Sequence, residues 1–200
     1  MGLFASHSST DRIRASEACD VGSIPAGRTM PKVIPRSFFG RDARRVAREL
    51  VGHYLVRRIN GHIKKYQILE TEAYLGEKDL ASHARHGRAG RAAIMFGPAG
   101  RFYIYLVYGM HELLNITTNQ DGQAGAVLIR AVEGLTGPGK LTKALKITRA
   151  LNNLLASRAT GLWFEYSPNQ TKPKTKTAPR VGVAYAGEWA GKLYRYILSA

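Results

Sequence analysis

The first sustained pattern along the chain runs from Asp42 to Leu50. Ala43, Val46, Ala47 and Leu50 recur at three- and four-residue spacing, and Arg41, Arg44, Arg45 and Arg48 fall elsewhere. That period predicts an amphipathic helix with its apolar stripe turned inward. The period then switches to two. His53 to Ile59 and Lys65 to Tyr74 read as strands, and Asn60-Gly61 between them is a hairpin signal because the favoured two-residue turn needs positive φ at both central positions. On the second strand, alternation is expected to put Ile68, Glu70, Glu72 and Tyr74 on one face. The β-branched and aromatic runs Arg101 to Tyr108 and Ala126 to Val132 predict further strands, with Asp121-Gly122 and Gly125 marking the loop between them. Lys140 to Leu155 reads as a helix entered through Gly137-Pro138-Gly139. Residues 171–180 read as a basic loop, and Val181 to Val183 and Leu193 to Leu198 as short closing strands.

These elements, without internal repeats, predict an α+β fold: a single domain over residues 31–200 in which a curved, mainly antiparallel β-sheet is flanked by helices. Residues 1–30 are rich in Ser, Ala, Gly and Arg with no period, so they are expected to be disordered or a leader foreign to the native protein. Gly22-Ser23-Ile24-Pro25 can be encoded by a stretch resembling the T-arm of a tRNA gene, which would make Met30 the true start. A full-length N-terminus on protein from its native host would contradict this.

Composition narrows the class of partner. A chain of 200 residues, 44% hydrophobic, suffices for one well-packed domain. Lys and Arg number 30 against 14 Asp and Glu, a net charge of +16, and the first 29 residues contribute equal numbers of each sign. The patterned part therefore carries the whole excess and is suited to a polyanion such as nucleic acid. The single cysteine, Cys19, excludes an internal disulfide and a cysteine-based zinc cluster. With no apolar run long enough to span a membrane and no secretion-signal core in the first 30 residues, no membrane partner and a cytoplasmic, nucleoid-associated location are expected.

Two carboxylates inside an apolar strand, Glu70 and Glu72, call for a reason, because burying them unpaired is costly. They could form structural ion pairs with an arginine such as Arg130. Alternatively, one could act as a general base, taking a proton from water as it attacks a sugar carbon, and steady the oxocarbenium-like state of glycosidic cleavage. Tyr74 follows two residues later. Tyr103 and Tyr105 share a face of another strand, and Tyr108 has the opposite parity and precedes Gly109. Such stripes are usually core, but an enzyme reacting at a base must extrude it and stack it between aromatic planes, with a wedge filling the gap.

Two other motifs lead elsewhere. Asp79, His83 and His86 have metal-ligand spacing on a helix, but no second ligand set accompanies them, so neither a metal nor another cofactor is expected. Gly134-x-x-x-x-Gly139-Lys140 nearly matches a nucleotide-binding phosphate loop. Leu141 stands where Ser or Thr must hold magnesium, and Pro138 removes a backbone donor, so that reading is rejected. Lys140 at a helix start could still hold one DNA phosphate.

Glu70-Thr71-Glu72-Ala73-Tyr74-Leu75-Gly76, Ala81-Ser82-His83, Met95-Phe96-Gly97, Tyr103 through His111, Asn115-Ile116, Val127 through Ala131, Gly137 through Leu141 and Arg180 through Trp189 follow one another in order. Together they resemble the alkyladenine (3-methyladenine) DNA glycosylase family, from about Pro35 to the C-terminus. The resemblance implies a monofunctional, monomeric enzyme that flips alkylated or deaminated purines (3-methyladenine, 7-methylguanine, hypoxanthine) from double-stranded DNA and leaves an abasic site. By the same resemblance Glu72 is the general base, and Arg130 with the Val181 carbonyl holds the attacking water. Tyr74, His83 and Tyr105 would stack around the base, with Met95 packing nearby. Asn115 would clash with the amine of normal guanine, Tyr108 would be the intercalating wedge, and Lys140, Arg91 and Met110 would meet the DNA backbone. The chain departs from the family in three places. Ala89-Gly90-Arg91-Ala92 replaces Thr-Pro-Arg-Asn, the segment between Arg130 and Gly137 is shortened, and position 111 is His111. A non-catalytic nucleic-acid-binding protein, and a lyase using Lys140 as a Schiff-base nucleophile, remain open readings at this point.

Overall fold

The computed structural model describes residues 32–168 and 174–199. The expectations for residues 1–30, and for the part of the basic loop at 169–173, lie outside the described residues.

Helices α1 (Arg36–Phe39) and α2 (Ala43–Leu50) open the fold. Asp42 caps α2 by accepting the Arg44 N–H at 2.9 Å, and Ala43, Val46, Ala47 and Leu50 are all buried, as their spacing predicts. Strands β1 (Tyr54–Ile59) and β2 (His62–Tyr74) form the expected hairpin, with Asn60 at φ 50° and Gly61 at φ 80°. The strands that follow are β3 (Phe102–Val107), β4 (His111–Thr117), β5 (Ala126–Val132) and β6 (Leu135–Thr136). Helix α3 (Pro138–Ala144) precedes β7 (Leu162–Glu165), β8 (Thr175–Ala178) and β9 (Arg195–Leu198). Among the described residues all strand pairings are antiparallel, in the order β3-β4-β5-β2-β1-β7, with β6 on β5, β9 on β2 and β8 on β9. The first half of β2 pairs with β1, and its second half with β5 and β9, so this one long strand joins the two parts of the curved sheet.

A bulge in β2 corrects one expectation. The partners of Ile68 and Glu70 are Val132 and Ala131, which leaves Leu69 as an extra residue and shifts the register again between Glu70 and Thr71. An extra residue reverses the face of everything before it. Ile68 therefore lies in the main core with Ala73, while Glu70, Glu72 and Tyr74 turn to the opposite face. Past the bulge, alternation holds across the sheet. Ala73, Ile104, Phe102, Leu114, Ile116, Val127 and Ile129 pack into the core beneath α2 and α3, leaving Glu72, Tyr74, Tyr103, Tyr105, Asn115, Leu128 and Arg130 for the other side.

Three further differences have physical causes. The helix expected over 140–155 stops at Ala144, with Lys146 at φ 49°. The rest of that segment covers the open edge of β3 instead: the Phe102 N–H donates to Leu154 O at 2.9 Å, the Asn153 N–H to Phe102 O at 2.8 Å, and the Ile104 N–H to Asn152 Oδ1 at 2.8 Å. Val181 to Val183 is not a strand, because Gly182 turns at φ 76° and the Val181 N–H goes to a carboxylate rather than to a ladder. Thr175–Ala178, expected as loop, pairs with β9.

Candidate active site

Glu72 is fully buried behind the wall of a cleft of about 450 Å³, whose lining includes its three partners Tyr74, Arg130 and Val181. Its Oε1 accepts the Val181 N–H at 2.9 Å, and its Oε2 accepts the Tyr74 hydroxyl at 2.8 Å. Arg130 Nη1 stands 3.5 Å from Oε1, while Arg130 Nε donates to Glu70 Oε1 at 2.9 Å and Arg195 Nη1 to the same oxygen at 3.0 Å. The two carboxylates differ in their surroundings: Glu70 is a paired ion of Arg130 and Arg195, whereas Glu72 meets Tyr74, Arg130 and Val181, three residues of the cleft lining. Burial pushes the Glu72 carboxyl above its ordinary value, against the Val181 N–H, Arg130 and the Tyr74 hydroxyl, which all favour the ionised form. A carboxylate offers about four acceptor positions, and these contacts do not take up all of them. Burial and the Glu72 charge push the Tyr74 hydroxyl well above its usual range, which keeps it a donor.

Val181 reaches Glu72 because its neighbour is pinned. Arg180 is buried and pairs with buried Asp79 through two bonds, Nη1 to Oδ2 at 2.6 Å and Nη2 to Oδ1 at 2.9 Å. It also donates to Ala73 O at 3.0 Å and to Trp189 O at 3.2 Å, and stacks over the Tyr74 ring at 5.0 Å. Asp79 in turn accepts the Leu75 and Ala81 N–H groups. The Asp79, His83, His86 spacing thus has another explanation, since the Asp79 carboxylate is taken up by Arg180 and the loop it caps. Sequence reasoning placed Arg180 in a basic loop; no local signal announces a pair 101 residues apart.

Aromatic rings form the cleft walls. Tyr103 and Tyr105 lie 5.1 Å apart by ring centroid, and His83 meets Tyr105 edge-on at 4.6 Å. His83 Nδ1 and the Tyr103 hydroxyl share a hydrogen bond of 2.7 Å. Burial, reinforced by Arg91, Arg85 and His86, lowers the His83 pKa to about 4, so the ring is neutral at ordinary pH. Burial pushes Tyr105 up to about 12. Met95 and Asn115 are buried in the wall, and the Asn115 amide donates to Tyr103 O at 3.2 Å.

The cleft mouth is lined by Arg91, Tyr108, Pro138, Val181 and Tyr185. Tyr108 is 88% exposed at φ 52° in the β3–β4 turn, with Gly109 at φ 69° and exposed Met110 following. A bulky residue in the left-handed region costs roughly 1–3 kcal/mol, and among the described residues none covers this ring in return. Tyr185, also exposed, stacks against Arg85 and is an aromatic that sequence reasoning missed, since a lone tyrosine carries no pattern. Lys140 is exposed in the first turn of α3 and does not line the cleft. Among the described residues, no helix is long and apolar enough to cross a membrane.

The family model described as methylpurine-DNA glycosylase matches residues 37–137 and 133–200, two stretches that meet at the shortened segment before α3. A relative from Anaeromyxobacter dehalogenans is 44% identical over 172 residues, covering 82% of this chain and 83% of its own. One from Legionella pneumophila is 42% identical, covering 82% and 93%, and one from Methanocella arvoryzae 41%, covering 82% and 91%. All three carry 3-methyladenine DNA glycosylase as a provisional name.

Proposed function

This chain belongs to the methylpurine-DNA glycosylase family, and from that premise we propose that it flips 3-methyladenine, 7-methylguanine and hypoxanthine out of duplex DNA, with Glu72 activating the water that replaces them. Membership makes it a DNA-3-methyladenine glycosylase, a hydrolase of N-glycosyl bonds acting on DNA.

The observation that supports the mechanism is the Glu72 carboxylate, fully buried against Tyr74, Arg130 and Val181 of the cleft lining and held, among the described residues, by two close donors and one longer cation contact. A water between Glu72 and Arg130 gives up a proton to the carboxylate as its oxygen bonds to C1′. The glycosidic pair leaves with the base, and an abasic site remains. The Val181 contact in the fold is made by its N–H; its carbonyl completing the water site is part of the proposal. Tyr74, Tyr105 and neutral His83 stack on and edge the extruded purine. An alkylated purine is cationic, which suits electron-rich tyrosine faces and already makes it a good leaving group. Asn115 guards against the amine of guanine. Tyr108 enters the duplex where the base was, and Arg91, Met110 and Lys140 meet the backbone. With Lys140 outside the cleft, water rather than a lysine amine is the nucleophile. The enzyme works as a monomer in the cytoplasm, on the nucleoid.

The test is duplex DNA carrying each lesion at one position, incubated with the protein and then treated with alkali. Strand breaks at the lesion and none in undamaged duplex are expected. Binding without breaks would leave a nucleic-acid-binding protein, and a borohydride-trapped protein–DNA adduct would replace hydrolysis by lyase chemistry.

A further inference from the structure

Glu70 is the second carboxylate of the β2 pair, and the mechanism above does not use it. Its Oε1 accepts from Arg130 Nε at 2.9 Å and from Arg195 Nη1 at 3.0 Å, and its side chain is 14% exposed. Arg195 comes from β9, directly across from Glu72 in the register, so Glu70 ties the strands on both sides of β2 to one oxygen. The consequence lies in what Arg130 does with its remaining donors. Bonded through Nε, its guanidinium brings Nη1 only to 3.5 Å from Glu72 Oε1, beyond good hydrogen-bonding distance. Arginine and carboxylate left to themselves close into a two-bond fork. Glu70 prevents that closure.

We propose that Glu70 is a positioning residue, holding Arg130 by Nε so that the guanidinium faces Glu72 and the cleft without collapsing onto the carboxylate that must take the proton. The inference rests on the reading of Glu72 as general base. Two carboxylates and two guanidiniums make the cluster neutral, so Arg130 can serve the site without overcharging it. With Glu70 neutral, Arg130 swings fully onto Glu72, takes the water's place and favours the ionised carboxylate. The same change removes a negative neighbour that pushes the Glu72 pKa up. Both effects weaken Glu72 as a base.

The test compares single-turnover excision of hypoxanthine from duplex DNA across pH for wild type, Glu70→Gln, and the charge-balanced Glu70→Gln/Arg195→Gln, with Glu72→Gln alongside. Both Glu70 variants should bind lesion DNA as wild type does and excise on the order of 10- to 100-fold more slowly. Their acid limb should move to lower pH. Should the single variant not fold, the double variant gives the same reading without an uncompensated charge. Wild-type rates in the Glu70 variants, or slower rates with the acid limb unmoved, overturn the positioning role. If instead Glu72→Gln excises normally, it is the general-base reading that fails.

Discussion

Arg180 and Asp79 face each other fully buried, joined by bonds of 2.6 and 2.9 Å, and the residue after Arg180 delivers its N–H to Glu72. The pair thus fixes one wall of the site from beneath. Breaking a buried pair from one side leaves an uncompensated charge and costs about 3–5 kcal/mol. Asp79→Asn should therefore lower stability in urea unfolding by that order and slow excision, since Val181 loses its anchor. A variant as stable as wild type would mean the pair holds little.

Excision should titrate with Glu72. On the proposed mechanism the active form is ionised, so the rate should be high above its pKa and fall as pH drops through it. Because burial raises that pKa, the acid limb should lie above the ordinary value of 4.5. His83, with its pKa near 4, stays neutral through that limb. Single-turnover rates on neutral hypoxanthine avoid any titration of the lesion by alkylation charge. A limb at or below the ordinary carboxylate value contradicts the environment described for Glu72.

The same shift has a stability consequence of opposite sign. A carboxyl with a folded-state pKa above its unfolded value binds a proton more tightly when folded, so stability falls as pH rises through the raised pKa. Ionised Glu72 is a cost to the fold at neutral pH. Glu72→Gln should melt above wild type there and lose the advantage once acid protonates the wild-type residue. A lower melting temperature at neutral pH would show that its donors outweigh its burial.

Tyr108 is expected to separate folding from function. At φ 52° the turn prefers Asn or Gly, so Tyr108→Asn should hold or raise stability by about 1 kcal/mol or less. The lost stacking should weaken binding to lesion DNA by about 1–3 kcal/mol. Calorimetric melting and a titration with lesion duplex measure the two effects. A variant that melts lower and binds equally well would make Tyr108 a structural residue.

Local signals account for what the sequence makes legible. The α2 stripe with its Asp42 cap, the Asn60-Gly61 turn and the whole of β5 can be read from neighbours within a few residues. Strand parity carries Glu72, Tyr74, Tyr105 and Arg130 to one face, because each lies on a regular stretch. Parity fails at Ile68, where a bulge intervenes. The missed β4 and β7 lack a clean polar–apolar alternation to read: β7 is buried at all four positions, and in β4 Leu113 on the cleft side is as apolar as Leu114 in the core. Residues 145–155 depart from helix because the edge of β3 takes up their backbone groups, and Asp79 finds Arg180 only once the chain has folded.

The role proposed for Glu72 is to activate water against an extruded purine. Its most direct measurement follows Glu72→Gln and wild type on the same duplex carrying one hypoxanthine, reading binding by titration and abasic sites by alkali cleavage. The variant should bind the lesion duplex as tightly as wild type and form abasic sites at least about 100-fold more slowly. Wild-type excision by the variant would contradict that role.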